Sequence, residues 1–417
     1  MKLLTITTLY PNAADPKHGI FVENRLRQLR HHHPDVECTV IAPVPWFPFR
    51  HRVFGQYAQF ASVPRVEQRY GIKVYHPRYT VIPKIGMELT PHTLEACLRK
   101  QINALKQEGL EFDLIDGHYF FPDGVAIANI AKQLNKPFTV TARGTDINLI
   151  PQYPRPLHQI KQVLQHSSHN LAVCEALRQT MIKHGADPAK TTTARNGVDL
   201  ALFHLTEQKN QHALREKLGL PSQGRIFMSV GLLIERKGHH LVIEAMAAHP
   251  DAHLLIAGSG PNLNNLKQLT RKLHLNERVT FLGALNQSEL ARYFGASDLS
   301  ILASNREGWA NVLLESMACG TPVVATNIWG TPEVVKTADA GLLVERDSKS
   351  IAKGIGELLA HLPDRQATRR YAEQFSWDET SHLLYQLFTQ LVSPPHLSMP
   401  PQSQRLVTPH ADKETQL

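Results

Sequence analysis

Cysteine is scarce: Cys38, Cys97, Cys174 and Cys319 lie far apart in 417 residues, with no C-x-x-C pair and no histidine set at metal-ligand spacing. That excludes a disulfide-stapled scaffold and a zinc module, and it fits a reducing cytoplasm. Long apolar runs are missing too; none approaches the ~18 residues of a membrane span. The opening Met1-Lys2-Leu3-Leu4-Thr5-Ile6, soon followed by Pro11, is too short in apolar length for a signal peptide. Neither an RNP-type aromatic strand nor a coherent basic helix accompanies the net charge of +8, so no nucleic acid is expected as partner.

What is present is an ordinary globular composition, 42% hydrophobic and 20% charged, in a chain long enough for two domains. The charge is uneven: residues 1 to 100 hold 14 Lys/Arg against 7 Asp/Glu. A basic N-terminal half can meet anionic lipid or a phosphorylated acceptor, or can be solvated surface. Within it, Pro43 to Gly86 mixes prolines, aromatics and arginines (Trp46, Phe47, Phe49, Arg50, Arg52, Phe54, Tyr57) and reads as largely irregular. Apolar bodies beside basic tips suit a membrane interface or a lipid-linked acceptor, or a loop packed on its own domain.

Strands and helices alternate along the whole chain, which predicts an α/β protein with parallel sheets. In the first half the strands fall near 3–8, 35–42, 112–117, 138–142, 171–173 and 191–195. A second series begins at 226–230 and continues at 254–257, 279–282, 299–303 and 323–326. Ligands in open parallel sheets bind outside the carboxyl ends of the strands. His118, Arg143 with Asp146, Lys237, and the loop Gly258-Ser259-Gly260-Pro261 all follow such ends. Arg143 can fork onto a phosphate or carboxylate, and Asp146 can accept from hydroxyls or pair with Arg143. Lys237 can meet a diphosphate as a point charge.

The densest chemistry lies in Ser304 to Thr326, S-N-R-E-G-W-A-N-V-L-L-E-S-M-A-C-G-T-P-V-V-A-T. The turn signal Asn305-Arg306-Glu307-Gly308 puts Glu307 on a loop. Val312, Leu313, Ser316 and Met317 then recur at helical spacing until Gly320. Asn311 and Glu315 are one turn apart, near a helix end whose unpaired amides suit a phosphate. A carboxylate one turn further in can accept two hydrogen bonds from a vicinal diol such as a ribose. The pattern points to a nucleotide, against the alternative of a Glu307 that only complements the helix dipole and a solvated Glu315.

This E-x7-E pattern with G-T-P-V-V-A-T behind it resembles the family 4 glycosyltransferases, retaining enzymes of the GT-B fold that use nucleotide-sugar donors. The resemblance runs from Leu3 to about Leu391. It implies two Rossmann-like domains facing across a cleft: 1–195 on the acceptor side, 196–376 on the donor side, and 377–392 crossing back. A disordered tail is expected at 393–417. It further implies that Glu307 lies by the transferred sugar and that Glu315 holds the ribose. Amides of Asn311 and Val312, with Lys237, would hold the diphosphate; Gly19 would face it across the cleft. By the same resemblance Gly258 and Gly260 line the nucleotide pocket and His118, in G-H-Y-F-F-P-D-G, contacts the donor sugar. The segment from His118 through A-R-G-T-D-I-N to Pro156 looks like the subgroup that makes teichuronic-acid-type and other cell-surface polysaccharides.

The expected reaction is sugar transfer from a nucleotide sugar to a hydroxyl of a glycan or lipid-linked acceptor, in the cytoplasm or on the inner face of the membrane. No D-x-D occurs, so no metal is expected on the diphosphate; lysine and helix-end amides take that work. One departure stands out. The family commonly has an arginine after Gly231, where this chain has Leu232; Arg236, Arg306 or Arg143 could stand in. The alternatives are an inactive nucleotide-sugar-binding scaffold, an epimerase or a phosphorylase on the same fold.

Overall fold

The computed structural model describes residues 1–81 and 86–393. Apart from Ser393, the expected tail lies outside the described residues.

The first half builds one eight-stranded sheet. Its elements are β1 (Lys2–Ile6), α1 (Ile20–His32), β2 (Glu37–Ile41), β3 (Val66–Arg69), β4 (Ile72–Tyr75), β5 (Leu114–His118), β6 (Phe138–Ala142), β7 (His169–Ala172) and β8 (Thr191–Thr193). The order across the sheet is β8-β7-β6-β5-β1-β2-β4-β3, parallel throughout except for the β3–β4 hairpin. The second half builds a wholly parallel six-stranded sheet from β9 (Arg225–Val230), β10 (Ala252–Ala257), β11 (Val279–Gly283), β12 (Leu299–Leu302), β13 (Val323–Thr326) and β14 (Gly341–Val344). Its order is β11-β10-β9-β12-β13-β14. Two helices matter to the cleft: α2 (Asn311–Ala318), between β12 and β13, and α3 (Trp377–Val392), which ends the described chain.

Helices cover both faces of each sheet, so the central strands are buried on both sides; β12 and β13 are buried at every residue. Strand order reverses between β1 and β5 in the first sheet and between β9 and β12 in the second. At those two places neighbouring crossovers leave in opposite directions and open a crevice at the carboxyl ends.

The expectation of a largely irregular 43–86 is corrected here for 43–81, residues 82–85 lying outside the described residues. Besides a short helix, Gln56–Ser62, it holds the β3–β4 hairpin, which extends the first sheet. The hairpin turns on Tyr70 and Gly71, both at positive φ, 49° and 76°. A tyrosine in the first of these positions is not the Asn-Gly or Asp-Gly signal of such a turn. Arg27 stacked 3.7 Å from the Tyr70 ring centroid helps hold it there.

α3 runs back from the second half onto the first. Leu384 and Phe388 join Leu3, Leu29 and Leu114 in one buried cluster, His32 Nε2 lies 2.7 Å from Asp378 Oδ1, and the Tyr385 hydroxyl donates to Asp35 at 3.0 Å.

The loops after β9 and β10 meet with no room for a side chain. A Cβ on Gly258, whose φ is 153°, would lie 1.8 Å from the Gly231 carbonyl oxygen. Gly258→Ala is therefore expected to lower the unfolding free energy by more than about 3 kcal/mol, read from urea unfolding; a loss within experimental error would show that the two loops can part freely.

Candidate active site

The second sheet's crevice holds Lys237, Ser304 and Glu307. Lys237 follows the β9 loop, and its aliphatic stem lies along Gly231. Its Nζ reaches Glu307 Oε1 at 2.5 Å, and the Ser304 hydroxyl donates to the same oxygen at 2.6 Å. The Arg236 guanidinium lies 3.8 Å from Glu307 and donates to the Arg306 carbonyl at 2.6 Å, fastening the loop. Burial alone would raise Glu307, but the Lys237 charge and hydrogen bond, with help from Ser304 and Arg236, hold it below its ordinary value. A nearly dry lysine–carboxylate pair thus stands where the strand order reverses.

One loop further, α2 begins. Asn311 donates its amide to the Trp309 carbonyl at 3.1 Å, whereas the Val312 amide has no backbone acceptor among the described residues. Glu315 sits one turn in, beside Gln287. Burial pushes its carboxyl up to about 7, only partly opposed by Gln287. Asn311, Gln287 and Glu315 share the walls of a cavity of about 30 Å³ with Ile20, Phe21 and Asn24 from the first turns of α1. The starts of α1 and α2 therefore face each other across the cleft. Gly19 caps α1 at φ 64°, where a Cβ would lie 2.3 Å from the Leu9 carbonyl, so backbone packing alone already demands glycine there.

On the first sheet's side, β5 and β6 present a buried charged network. His118 is wholly buried. Its Nδ1 accepts from Arg143 Nη2 at 2.8 Å, which leaves the ring proton on Nε2, and Nε2 lies 3.1 Å from Asp116 Oδ2. Burial, reinforced by the Arg143 and Arg25 cations against Asp116, takes the imidazole down to about 4, so it is neutral at physiological pH. Arg143 also donates to Asn196 at 3.1 Å and lies over the Phe21 ring, 5.1 Å from its centroid. Tyr119, directly after His118, takes φ 78°, a strained conformation for a tyrosine held by its amide's bond to the Thr141 carbonyl at 2.9 Å.

Two expectations change. His118 does not open onto the cleft in this conformation; covered on all sides, it holds Arg143. Asp146 neither pairs with the Arg143 guanidinium nor faces a hydroxyl: it is buried and accepts from the amides of Phe120, Arg143 and Gly144 at 2.9, 3.1 and 2.8 Å. It braces the loop. Of the three arginines that could stand in beside Leu232, Arg236 lies 3.8 Å from Glu307 and holds the Arg306 carbonyl, while Arg143 is engaged with His118 and Asn196.

The two halves touch along a seam. A Cβ on Gly308 would lie 2.3 Å from the Arg143 carbonyl oxygen. Arg195 pairs with Glu333 at 2.5 Å and Arg143 donates to Asn196 at 3.1 Å across it, while Asn196, the first residue of the second half, is held by Trp309 Nε1 on its carbonyl at 3.0 Å and donates to Asn311 at 3.2 Å.

Residues 19–202 match Glycosyltransferase Family 4, and residues 210–375 match the glycosyl transferases group 1 family. The glycosyltransferase TuaC of Bacillus subtilis (strain 168), named for teichuronic acid biosynthesis, is 30% identical over 358 residues, 85% of this chain and 88% of TuaC. The chain belongs to glycosyltransferase family 4. Sucrose-phosphate synthase from Thermosynechococcus elongatus superposes on this family 4 chain with a TM-score of 0.77 at 20% identity, covering 94% of this chain and 99% of that one. Anabaena HepE, solved with UDP-glucose, gives 0.69 at 21% identity over 94% and 100%. The fold is GT-B, and the chain is a group 1 glycosyltransferase of polysaccharide or glycan biosynthesis.

Arg25, Asp116, Tyr119, Asn196 and Ser304 were not singled out in the sequence. Two of them left a trace. Asp116 and His118 are two apart on a strand and share a face, and Arg25 stands with Val22, Leu26 and Leu29 on the buried stripe of α1.

Proposed function

We propose that this family 4 enzyme is a retaining, metal-independent transferase that passes a sugar from a nucleotide sugar to a hydroxyl of a glycan or lipid-linked saccharide in cell-surface polysaccharide biosynthesis. The observation that carries the reading is the Lys237–Glu307 pair in the crevice of the second sheet, on the loop that leads directly into α2, whose first turn holds the free Val312 amide and whose next turn holds Glu315. Lys237 and the first turn of α2 meet the diphosphate, Glu315 takes the ribose diol, and Glu307 faces the transferred sugar. Gly258 and Gly260 shape the loop beside them. When the diphosphate arrives, Lys237 is shared between it and Glu307. The bond from the anomeric carbon to phosphate breaks, the bond to the acceptor oxygen forms on the same face, and the acceptor proton passes to the leaving phosphate. Negative charge grows on that phosphate, so fixed donors there act more strongly on the transition state than on the ground state. His118 and Arg143 are placed as positioning groups on the opposite wall. We place the donor half at 196–376 and the acceptor half at 1–195, working in the cytoplasm at the inner face of the membrane. HepE's complex with UDP-glucose makes a UDP-sugar the first donor to try.

Leu232 favours a second reading, an inactive nucleotide-sugar-binding scaffold. It is 55% exposed, the only large apolar side chain so exposed beyond residue 196 among the described residues. Turnover of UDP-, GDP- and ADP-sugars by the full chain in EDTA, beside Glu315→Ala, separates the two. Slow EDTA-resistant turnover of one donor, lost in the variant, is the expected result. Binding of a donor without turnover or transfer would establish the scaffold, and turnover abolished by EDTA would overturn metal independence.

A further inference from the structure

Between Glu37 and Glu67 the sequence has no acidic residue, while Arg50, Arg52, Arg65 and several aromatics fall inside that interval. The structure gathers the aromatics. After the two-residue ladder of Val44–Pro45 with Arg78–Tyr79, where Trp46 donates its amide to the Tyr79 carbonyl at 2.7 Å, the chain leaves the sheet. It then folds its rings on one another: Phe47 lies 5.4 Å from Phe54 and 5.3 Å from Tyr57, and Phe49 lies 5.3 Å from Phe54, between centroids. The rings pack into a knob and still face outward. Trp46 is 56% exposed, Phe49 55%, Val53 76% and Tyr57 46%. Arg50 and Arg65 are exposed beside it and make no ion pair among the described residues. They lie close enough to Arg78 that it feels their charge.

Solvent-facing Trp, Tyr and Phe cost free energy unless something covers them. A second copy would bring the same arginines face to face. A zwitterionic or neutral protein surface would leave them without counter-charge. An anionic bilayer matches both halves of the knob: Trp and Tyr settle at the headgroup level, Phe and Val reach the acyl boundary, and arginines gain from the surface potential. The helix Gln56–Ser62 that carries Tyr57 also places Phe60 in the wall of a cavity of about 210 Å³, apolar where Val44 and Tyr79 join Phe60 and polar where Asn12, Asp15 and His18 close its other side. That cavity adjoins the loop after β1, on the acceptor side of the cleft.

We propose that the Trp46–Tyr57 knob docks this enzyme on an anionic lipid bilayer, so that the neighbouring cavity, apolar on the knob's side and polar on the other, receives the lipid-proximal part of a membrane-borne acceptor. The inference rests on the reading of a lipid-linked acceptor above. It is tested by co-flotation of the full chain with vesicles of phosphatidylcholine, with and without phosphatidylglycerol, across a salt series. Trp46→Ser/Phe49→Ser and, separately, Arg50→Glu are compared with the unsubstituted chain, and thermal unfolding and donor turnover serve as controls. Binding to the anionic vesicles that falls about tenfold in each variant and weakens with salt is the expected result. Equal binding to both vesicle types, binding unchanged by the variants, or no binding with donor turnover intact would overturn the docking and leave the transfer chemistry standing. Self-association removed by the aromatic variant, without vesicle binding, would reassign the knob to a contact between copies. A chain that floats normally but turns over no donor would instead count against the transfer reading.

Discussion

Lys237→Ala is expected to lower kcat/KM for donor turnover by roughly 10²–10³ and to destabilise the folded chain by about 3 kcal/mol near neutral pH. The two losses have one origin. Lys237 and Glu307 are 2.5 Å apart, with side chains only 15% and 11% exposed. Removing the cation strips the growing charge on the diphosphate of its fixed partner and strands a carboxylate in a site that has shed most of its water. Ser304 still donates to it, but Arg236 at 3.8 Å is too far for a hydrogen bond. The pH dependence identifies the cause. Because Lys237 holds Glu307 below its ordinary value, the pair's stabilisation is present above the unfolded carboxyl's pKa and is lost as pH falls through the folded one. The stability gap between the variant and the unsubstituted chain should thus be widest near neutrality and close in acid, below about pH 4. Urea unfolding across that range reads it, and a gap independent of pH would mean that the pair is not what Lys237 contributes. A variant with full turnover would remove Lys237 from the donor site.

The alternating strands and the helical spacing after Asn311 are local patterns, and they carried the fold class and the position of Glu315 on α2. Glu307 on a loop was equally legible, because Asn305-Arg306-Glu307-Gly308 is a strong turn signal. Its pairing with Lys237 was not, since 70 residues separate them and only the strand order brings β9 beside β12. The same holds for the network on the other wall. Arg143 looked equally able to pair with Asp146, three residues on, or to reach a ligand. The structure gives Asp146 to three backbone amides and Arg143 to His118 and Asn196, because β5 and β6 are neighbours and their carboxyl ends converge. The glycines show the reverse limit. Gly19 was expected to face a diphosphate and Gly258 to line the nucleotide pocket, yet each has a backbone neighbour that forbids a side chain before any ligand enters. Their identity therefore argues for the packing first and for the ligand only through where that packing puts the loop.

Glu315→Gln separates these two kinds of constraint, because it changes charge and almost nothing else. Burial raises the Glu315 carboxyl to about 7, above its ordinary ~4.3 in an unfolded chain. Its contribution to stability is accordingly complete below the unfolded pKa and is lost as pH rises to the folded one, a loss of about 2–3 kcal/mol by mildly alkaline pH. Glutamine cannot ionise, so the variant should match the unsubstituted chain near pH 3, below the unfolded pKa, and be the more stable by about that amount near pH 8. Donor binding should move the opposite way. A ribose diol donates two hydrogen bonds and needs the ionised carboxylate to accept both, so binding below about 7 must expel a proton. Donor affinity of the unsubstituted chain should rise with pH up to that point and then level off. The variant should bind about 10- to 100-fold more weakly near pH 8, having lost a charge-assisted acceptor, with no pH dependence across the same range. Calorimetry in two buffers of different ionisation enthalpy counts the proton directly. A gain in alkaline stability with donor affinity untouched would leave Glu315 a buried carboxyl of the α1–α2 contact, and the ribose would have to be sought elsewhere. Both effects together would show that the energy withheld from the empty fold is returned when the nucleotide binds.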